Sequence, residues 1–94
     1  MRTEVILLLG AEIDFAKLYQ RFGEKFYTAL DKALGQLADF PEAGPVYHGA
    51  IRRILVGGFP VGVFYVSDFQ RIMVLGLLDL RRDPDRIRSE ITER

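Results

Sequence analysis

Two arginine pairs are the side chains of this sequence with the clearest chemical potential. Arg52 and Arg53 are adjacent in an apolar segment, and Arg81 and Arg82 follow an apolar run that ends at Asp79. A guanidinium group makes planar, bidentate contacts with carboxylates and phosphates. The four arginines therefore predict a surface that contacts an acidic partner or a phosphate backbone.

A structural role for the same arginines is an open alternative. Adjacent side chains of a strand point to opposite faces of a sheet, so one arginine of each pair is expected to face the interior. There it could form an ion pair with a carboxylate of the predicted helices, such as Glu24 or Asp31. The two pairs belong to the first and last strands of a predicted three-stranded meander. These strands are either neighbours or separated by the middle strand.

The remaining polar residues predict no catalytic residue, no metal site and no cofactor. His48 is the only histidine, and it lies in a loop rich in proline and glycine with no carboxylate nearby in sequence. A general base needs such a partner, and one histidine without cysteine is too little for a transition-metal site. Gly57 and Gly58 do not have the spacing of a phosphate-binding loop. Asp83 and Asp85 are interleaved with arginines, which predicts local ion pairs.

Length and composition predict one domain over residues 1–94. The chain is 49% hydrophobic and 28% charged, and its 13 basic and 13 acidic residues give a formal net charge of zero. That balance disfavours strong nonspecific binding to nucleic acid. No apolar run approaches the roughly 20 residues of a membrane span, and the first ten residues predict a strand, being too short for a signal peptide. The lack of cysteine is compatible with a reducing cytoplasm.

Apolar periodicity in the first half predicts a strand followed by two helices. EVILLL (4–9) is typical of a strand buried on both faces, and Gly10 marks its end. Apolar residues then recur with helical spacing on both sides of Gly23, which predicts a helical hairpin or one kinked helix. Pro41 ends the second helix near Asp39. The aromatic residues of this stripe are predicted to be core: Phe15, Tyr19, Phe22, Phe26 and Tyr27.

The second half predicts a loop over 41–49, an antiparallel meander and a short charged helix, with Asp83 as its N-cap and Pro84 at its first position. The meander strands are predicted over 51–56, 61–66 and 72–78. The continuous apolar run of the last strand is typical of a central strand covered on both sides, and Gly76 within it indicates a close backbone approach. The order β-α-α-β-β-β predicts an α+β two-layer domain with the helical hairpin on one face.

Three segments, taken in order, resemble the RelE/ParE superfamily of bacterial type II toxins, also known as plasmid stabilization proteins. They are ADFPEAGPV (38–46), IRRILVGGFPVGVFYV (51–66) and RIMVLGLLDLRRDP (71–84). They match a helix that ends in F-P-x-x-G, an arginine-bearing strand with an F-P turn, an apolar strand with tyrosine, and a last strand that closes with R-R-D-P. The resemblance implies the fold predicted above, a cytoplasmic toxin, and a ParD-like or RelB-like antitoxin that wraps over it.

The superfamily has two activities, which the resemblance allows us to compare residue by residue. RelE-like members are ribosome-dependent mRNA endonucleases that use basic residues on the meander strands and a tyrosine or histidine near the end of the chain. The resemblance places these residues at five positions of this sequence, and Arg53 and Arg81 match two of them. The other three positions hold Leu55, Gly62 and Ile87, none of which can supply a charge or a proton.

Asp79 stands where other nuclease members place a histidine. RNA cleavage needs proton transfer and cations that stabilise the negative charge of the transition state, which a carboxylate opposes. The resemblance therefore implies the ParE-like branch, whose members poison DNA gyrase by binding, with Arg52, Arg53, Arg81 and Arg82 on the surface that contacts the target or the antitoxin. Two alternatives are a RelE-like nuclease with a diverged catalytic set and a non-toxic member that binds only an antitoxin.

Overall fold

A five-stranded mixed sheet forms the centre of the molecule. The computed structural model describes residues 2–94. In chain order the elements are β1 (Glu4–Leu7), α1 (Leu9–Phe22), α2 (Glu24–Asp39), β2 (Val46–His48), β3 (Ile51–Leu55), β4 (Val61–Ser67), β5 (Arg71–Asp79) and α3 (Pro84–Thr92). The strand order is β1-β5-β4-β3-β2, with β1 parallel to β5 and the other neighbours antiparallel. The predicted α+β class and the antiparallel meander of β3, β4 and β5 are confirmed.

The helical hairpin of α1 and α2 covers one face of the sheet, which we call the hairpin face. Gly23 separates the two helices with a φ of 74°, a conformation that glycine adopts without steric cost. The second helix ends at Asp39, two residues before Pro41, as predicted. The other side of the sheet, which we call the outer face, carries α3.

The aromatic residues of the hairpin are only partly core. Phe26 is fully buried, and Phe15 and Phe22 are half-buried against the same apolar cluster. Tyr19 and Tyr27 are 37% and 48% exposed, so the prediction that all five are core is wrong for these two. A tyrosine on the edge of a helical stripe buries part of its ring while its hydroxyl stays in water.

β5 is the central strand that its sequence predicted, covered on both faces. Val74 and Leu77 pack under the helical hairpin, whereas Leu75 and Leu78 face the outer side. The alternation shifts by one residue because Leu75 has no partner on β4, which makes it a β-bulge. The strand thereby supplies apolar side chains to both layers.

The prediction of a strand over 4–9 that is buried on both faces is wrong for β1. This strand has four residues, all exposed or half-buried, because it is an edge strand with a neighbour on one side only. The helix α1 already begins at Leu9, so Gly10 is helical and does not end the strand. A short run of apolar residues does not by itself distinguish a strand from the first turn of a helix.

α3 is docked on the outer face. Asp83 caps it by accepting a hydrogen bond from a backbone N–H two residues on, at 3.0 Å, and Pro84 occupies its first turn. Ile87 and Ile91 are both buried in a second apolar cluster that β4 and β5 complete. Two apolar residues one turn apart are therefore sufficient to fix this highly charged helix.

Gly76 marks the close approach that the sequence predicted. The Arg94 side chain crosses it, with Nη1 2.7 Å from Asp14 Oδ2 and 3.0 Å from the carbonyl oxygen of Leu75. A Cβ atom at position 76 would lie 2.7 Å from Cδ1 of Ile91, closer than real side-chain contacts. A side chain at position 76 would therefore displace the ends of Arg94 and Ile91 where α1, α3 and β5 meet.

β2 is missing from the predicted order β-α-α-β-β-β. It lies inside the predicted loop 41–49 and pairs with β3 at the edge of the sheet, with an irregular register between Val46 and His48. Gly49 then reverses the chain with a φ of 56°. Three residues between prolines and glycines are too few to show a strand period.

Candidate interaction surface

Asp79, at the end of β5, is the centre of an ion-pair cluster and is only 9% exposed. Its carboxylate accepts two hydrogen bonds from the Arg81 guanidinium, 3.0 Å from Nε to Oδ1 and 2.7 Å from Nη2 to Oδ2. It also accepts one from the Arg81 backbone N–H at 2.9 Å, and Arg21 Nη1 lies 3.3 Å from Oδ2. The apolar strand ends in an acid and arginines because these groups fasten the following turn to the end of α1.

The hydrogen bonds from the Arg81 side chain lower the pKa of Asp79 to about 2, even though burial by itself would raise it. The charge of Arg21 contributes in the same direction. The pairing in turn raises the pKa of Arg81. Asp79 is therefore ionised throughout the physiological range, has no proton to donate, and is too weak a base to remove one efficiently at neutral pH.

Arg82 contacts a different acid from its neighbour. Its Nη2 donates a hydrogen bond to Oε2 of Glu90 on α3 at 2.8 Å. The other carboxylate oxygen of Glu90 accepts a hydrogen bond from Nη2 of Arg94 at 3.0 Å. The side chains of Arg81 and Arg82 keep 58% and 45% of their surface exposed. Both guanidinium groups are thus partly satisfied within the fold while their outer edges face water.

Arg52 lies on the hairpin face and holds the loop after α2. Its Nη1 donates to the carbonyl oxygen of Gly44 at 2.8 Å, and the Gly44 N–H donates to the hydroxyl oxygen of Tyr65 at 2.9 Å. A Cβ at position 44 would lie 2.7 Å from the carbonyl oxygen of Arg53, so this loop packs directly on β3. The first arginine of the pair therefore has a structural function.

Arg53 points to the outer face. Its guanidinium carbon lies 5.6 Å from the ring centroid of Tyr47, which in turn packs edge-on against Phe64 at 4.9 Å. Among residues 2–94 no carboxylate forms an ion pair with Arg53. A guanidinium group that lies over an aromatic ring and has no counter-ion can still form an ion pair with a carboxylate of a partner.

Gly62 of β4 provides the floor between Arg53 and the end of β5. A Cβ on it would lie 3.2 Å from Cδ of Arg53 and 3.0 Å from Cδ2 of Leu80. The Arg53 stem and Leu80 therefore close over the middle strand, next to Arg81. Because β4 separates β3 from β5, the two arginine pairs lie across one strand from each other.

The alternative prediction, that the four arginines have structural contacts within the fold, is correct, but the partners it named are wrong. Within the described part of the chain none of the four pairs with Glu24 or Asp31. Their partners are loop carbonyls, a tyrosine ring, Asp79 and Glu90. Arg53 lies on the outer face and Arg82 binds Glu90 of α3 on that side. Arg81 binds Asp79 next to Arg21 of α1, at the end of β5 under the hairpin, and Arg52 lies on the hairpin face.

Sequence reasoning missed one further surface. Phe40, just after α2, and Phe69, in the turn between β4 and β5, are 69% and 103% exposed, and they border the same cleft. Both lie in connecting segments and not on an apolar periodic face, and an aromatic residue in a polar turn is the signal that could have found them. Across residues 2–94 no group of His, Cys, Asp or Glu could hold a metal ion, and none of the described helices could span a membrane.

Comparisons with known proteins give one informative result. No family model and no curated protein matches the chain. Twelve chains of solved structures are similar to it. One belongs to the structure "Chromosomal ParDE TA system from P. aeruginosa", with a TM-score of 0.66, 16% identity, and coverage of 84% of this chain and 97% of that chain. At this identity the likeness shows a shared fold, the one that the sequence resemblance implied.

Proposed function

We propose that this protein is the toxin of a type II toxin–antitoxin system, of the ParE-like kind. It acts in the bacterial cytoplasm by binding DNA gyrase, and a ParD-like or RelB-like antitoxin neutralises it. The proposal starts from the shared fold with a chain of a ParDE system. The observation that carries it is the state of Asp79, which occupies the position of a nuclease histidine and is held as a carboxylate by Arg81 and Arg21.

The chemistry at the Asp79 end of β5 supports binding over catalysis. A ribonuclease must take a proton from one oxygen and give one to another, and it must stabilise the extra negative charge between these steps. Asp79 does neither, because its pKa of about 2 keeps it ionised and because its charge opposes that of the transition state. It also cancels much of the Arg81 charge that would stabilise this state.

The arginines near this end of the sheet suit an interface. Arg81 and Arg82 keep 58% and 45% of their side-chain surface exposed, Arg53 is half-buried on the Tyr47 ring, and arginine is enriched where proteins bind each other. The cations are held in place by Tyr47, Asp79 and Glu90, so little side-chain freedom is lost on binding. An acidic surface of gyrase or of the antitoxin is the expected complement.

The first experiment is pulse labelling of DNA and protein synthesis in the minutes after induced expression in bacteria. Early loss of DNA synthesis with translation intact supports the proposal, and purified protein should then inhibit supercoiling by gyrase. Early loss of translation contradicts it. The absence of both effects favours a member that binds an antitoxin and has no toxicity.

One contact favours the nuclease as a second candidate. Tyr47 lies beside Arg53 on the outer face, so a hydroxyl and a cation are adjacent there. Tyr47→Phe keeps the ring, its contact with Phe64 and its contact with the guanidinium, and removes only the hydroxyl. Growth arrest that survives this substitution supports binding. Loss of growth arrest, together with loss of mRNA cleavage on purified ribosomes, supports the nuclease.

A further inference from the structure

An open cleft of about 880 Å³ lies at the end of the sheet opposite Asp79. The loop after α2 forms one wall and the turn between β4 and β5 forms the other. Phe40 and Phe69 border it with most of their ring surface exposed to water, and Pro41 and Ala43 add apolar surface. Two aromatic rings on one cleft form a patch, unlike single apolar residues scattered over a surface.

Neither phenylalanine is needed for the local structure that holds it. The turn at Phe69 is fixed by Asp68, whose side chain accepts hydrogen bonds from the backbone N–H groups of Gln70 and Arg71 at 3.1 and 3.0 Å. Phe40 ends α2 through its backbone N–H, which donates to the carbonyl oxygen of Gln36 at 2.8 Å. Polar side chains could replace both rings without loss of these contacts, so the rings are available to a partner.

The charges around the cleft select the kind of partner. Asp39, Glu42 and Asp68 line it, and no lysine or arginine does. Arg2 and Arg71 offset two of these acids from outside, with N–O distances of 3.0 and 3.8 Å. Glu42 forms no ion pair within residues 2–94. The rim therefore carries three carboxylates, of which Glu42 has no cationic partner in the described part of the chain, around an apolar floor. This arrangement complements an apolar anchor flanked by basic residues.

A second copy of this chain is a poorer occupant than a basic segment. In a two-fold dimer each copy presents the same patch to the other, so the acids of one cleft would meet the same acids of its partner. Like charges facing each other oppose association. A cleft of this volume suits a few side chains of an inserted segment.

We propose that this cleft receives a segment of the antitoxin in which an aromatic or leucine side chain is flanked by lysine or arginine. The inference rests on the proposed function, because it names the chemistry of the partner that the toxin would bind. It assigns the two ends of the sheet different partners: the arginines at the Asp79 end contact an acidic surface, and the cleft contacts a basic segment.

The test uses random 12-residue peptides displayed on phage and selected on the full chain, followed by anisotropy titrations with the best peptide, labelled with a fluorophore. We expect selected peptides with an aromatic or leucine anchor between basic residues. Phe69→Ser should weaken the binding of that peptide at least about tenfold, because it removes the anchor's contact. Glu42→Lys should weaken it several-fold, and more at low salt. Leu9→Ser, at another exposed apolar residue outside the cleft, is the matched control and should change nothing.

Four outcomes would overturn the inference: no enrichment, acidic peptides, equal binding to Phe69→Ser, or a wild-type dimer in sedimentation that Phe69→Ser dissolves. The peptide titration does not depend on toxicity. A chain that arrests neither replication nor translation, yet binds the basic peptide through Phe69, contradicts the toxin assignment and leaves the cleft assignment intact. A toxic chain whose cleft binds no such peptide contradicts the cleft assignment and leaves the toxin assignment intact.

Discussion

The two ends of the sheet differ in how the fold satisfies the side chains exposed there. At the Asp79 end the polar groups satisfy one another. The Asp79 carboxylate accepts hydrogen bonds from Arg81 and Arg21, and Arg82 forms an ion pair with Glu90. At the opposite end Asp68 fixes the backbone of the turn, the ion pairs are made by arginines outside the cleft, and the rings of Phe40 and Phe69 remain in water. Side chains held by their own ion pairs present a rigid surface to a partner, whereas an open apolar cleft can receive an inserted segment of a partner.

The largest expected effect tests whether the centre of the sheet is as tightly closed as the contacts indicate. Gly76→Ala places a methyl group among Arg94, Ile91 and Asp14, and we expect it to lower the free energy of unfolding by about 2–3 kcal/mol through overpacking. Gly57→Ala is the matched control, since it meets open space at an ordinary φ and should change stability by less than about 0.5 kcal/mol. Urea unfolding of both variants measures the difference, and equal stability would mean that α3 is not packed against β5.

The next effect concerns the ion pairs at the Asp79 end. Asp79→Ala should lower the free energy of unfolding at pH 7 by about 1–2 kcal/mol, a range reduced for the solvent exposure of both arginine partners. The folded-state pKa of about 2 lies below the ordinary 3.8, so this stabilisation is complete above the ordinary value and is lost as the pH falls towards 2. Wild type and variant should therefore converge in urea unfolding only at about pH 2 and below. A constant difference across pH would contradict the ion-pair assignment.

A third prediction separates the two arginines of one pair. Arg52→Ala should lower the free energy of unfolding by about 1 kcal/mol, because the loop loses the hydrogen bonds that fix it. Arg53→Ala should leave stability nearly unchanged and weaken growth arrest or antitoxin binding. Arg81→Ala should weaken the same activities and also lower stability, because Asp79 loses its main partner. Thermal unfolding and the growth assay, run on the same three variants, separate these roles. If Arg53→Ala and Arg81→Ala leave both growth arrest and antitoxin affinity unchanged, these arginines do not form the contact surface.

The sequence predicts the fold wherever apolar runs are long enough to show a period. β5, the hairpin helices and the cap at Asp83 follow directly from their residues. β1 and β2 do not, because four and three residues at the edges of a sheet carry too little pattern to fix their limits. The strand order that separates the arginine pairs arises from tertiary pairing, which local spacing does not encode.

The candidate site is predicted less well than the fold for a related reason. The residue types at positions 52, 53, 81 and 82 indicate a basic surface, but the partner of each guanidinium depends on elements far apart in sequence. Arg21 reaches Asp79 across 58 residues, and Arg94 reaches Asp14 across 80. Long-range ion pairs of this kind leave no periodic signal, so which arginine remains free for a partner is visible only in the fold.

The smallest expected effect concerns stability at the open end and sharpens the comparison most. Phe69→Ser should change the free energy of unfolding by less than about 0.5 kcal/mol, since the ring is fully exposed and Asp68 holds the turn without it. Phe64→Leu, which replaces a fully buried ring of the outer-face cluster with a smaller side chain, should cost about 1–2 kcal/mol. Thermal unfolding of the pair measures both. A large loss on Phe69→Ser would mean that this ring packs within the fold, in which case the cleft is a folding contact and the two ends of the sheet are alike.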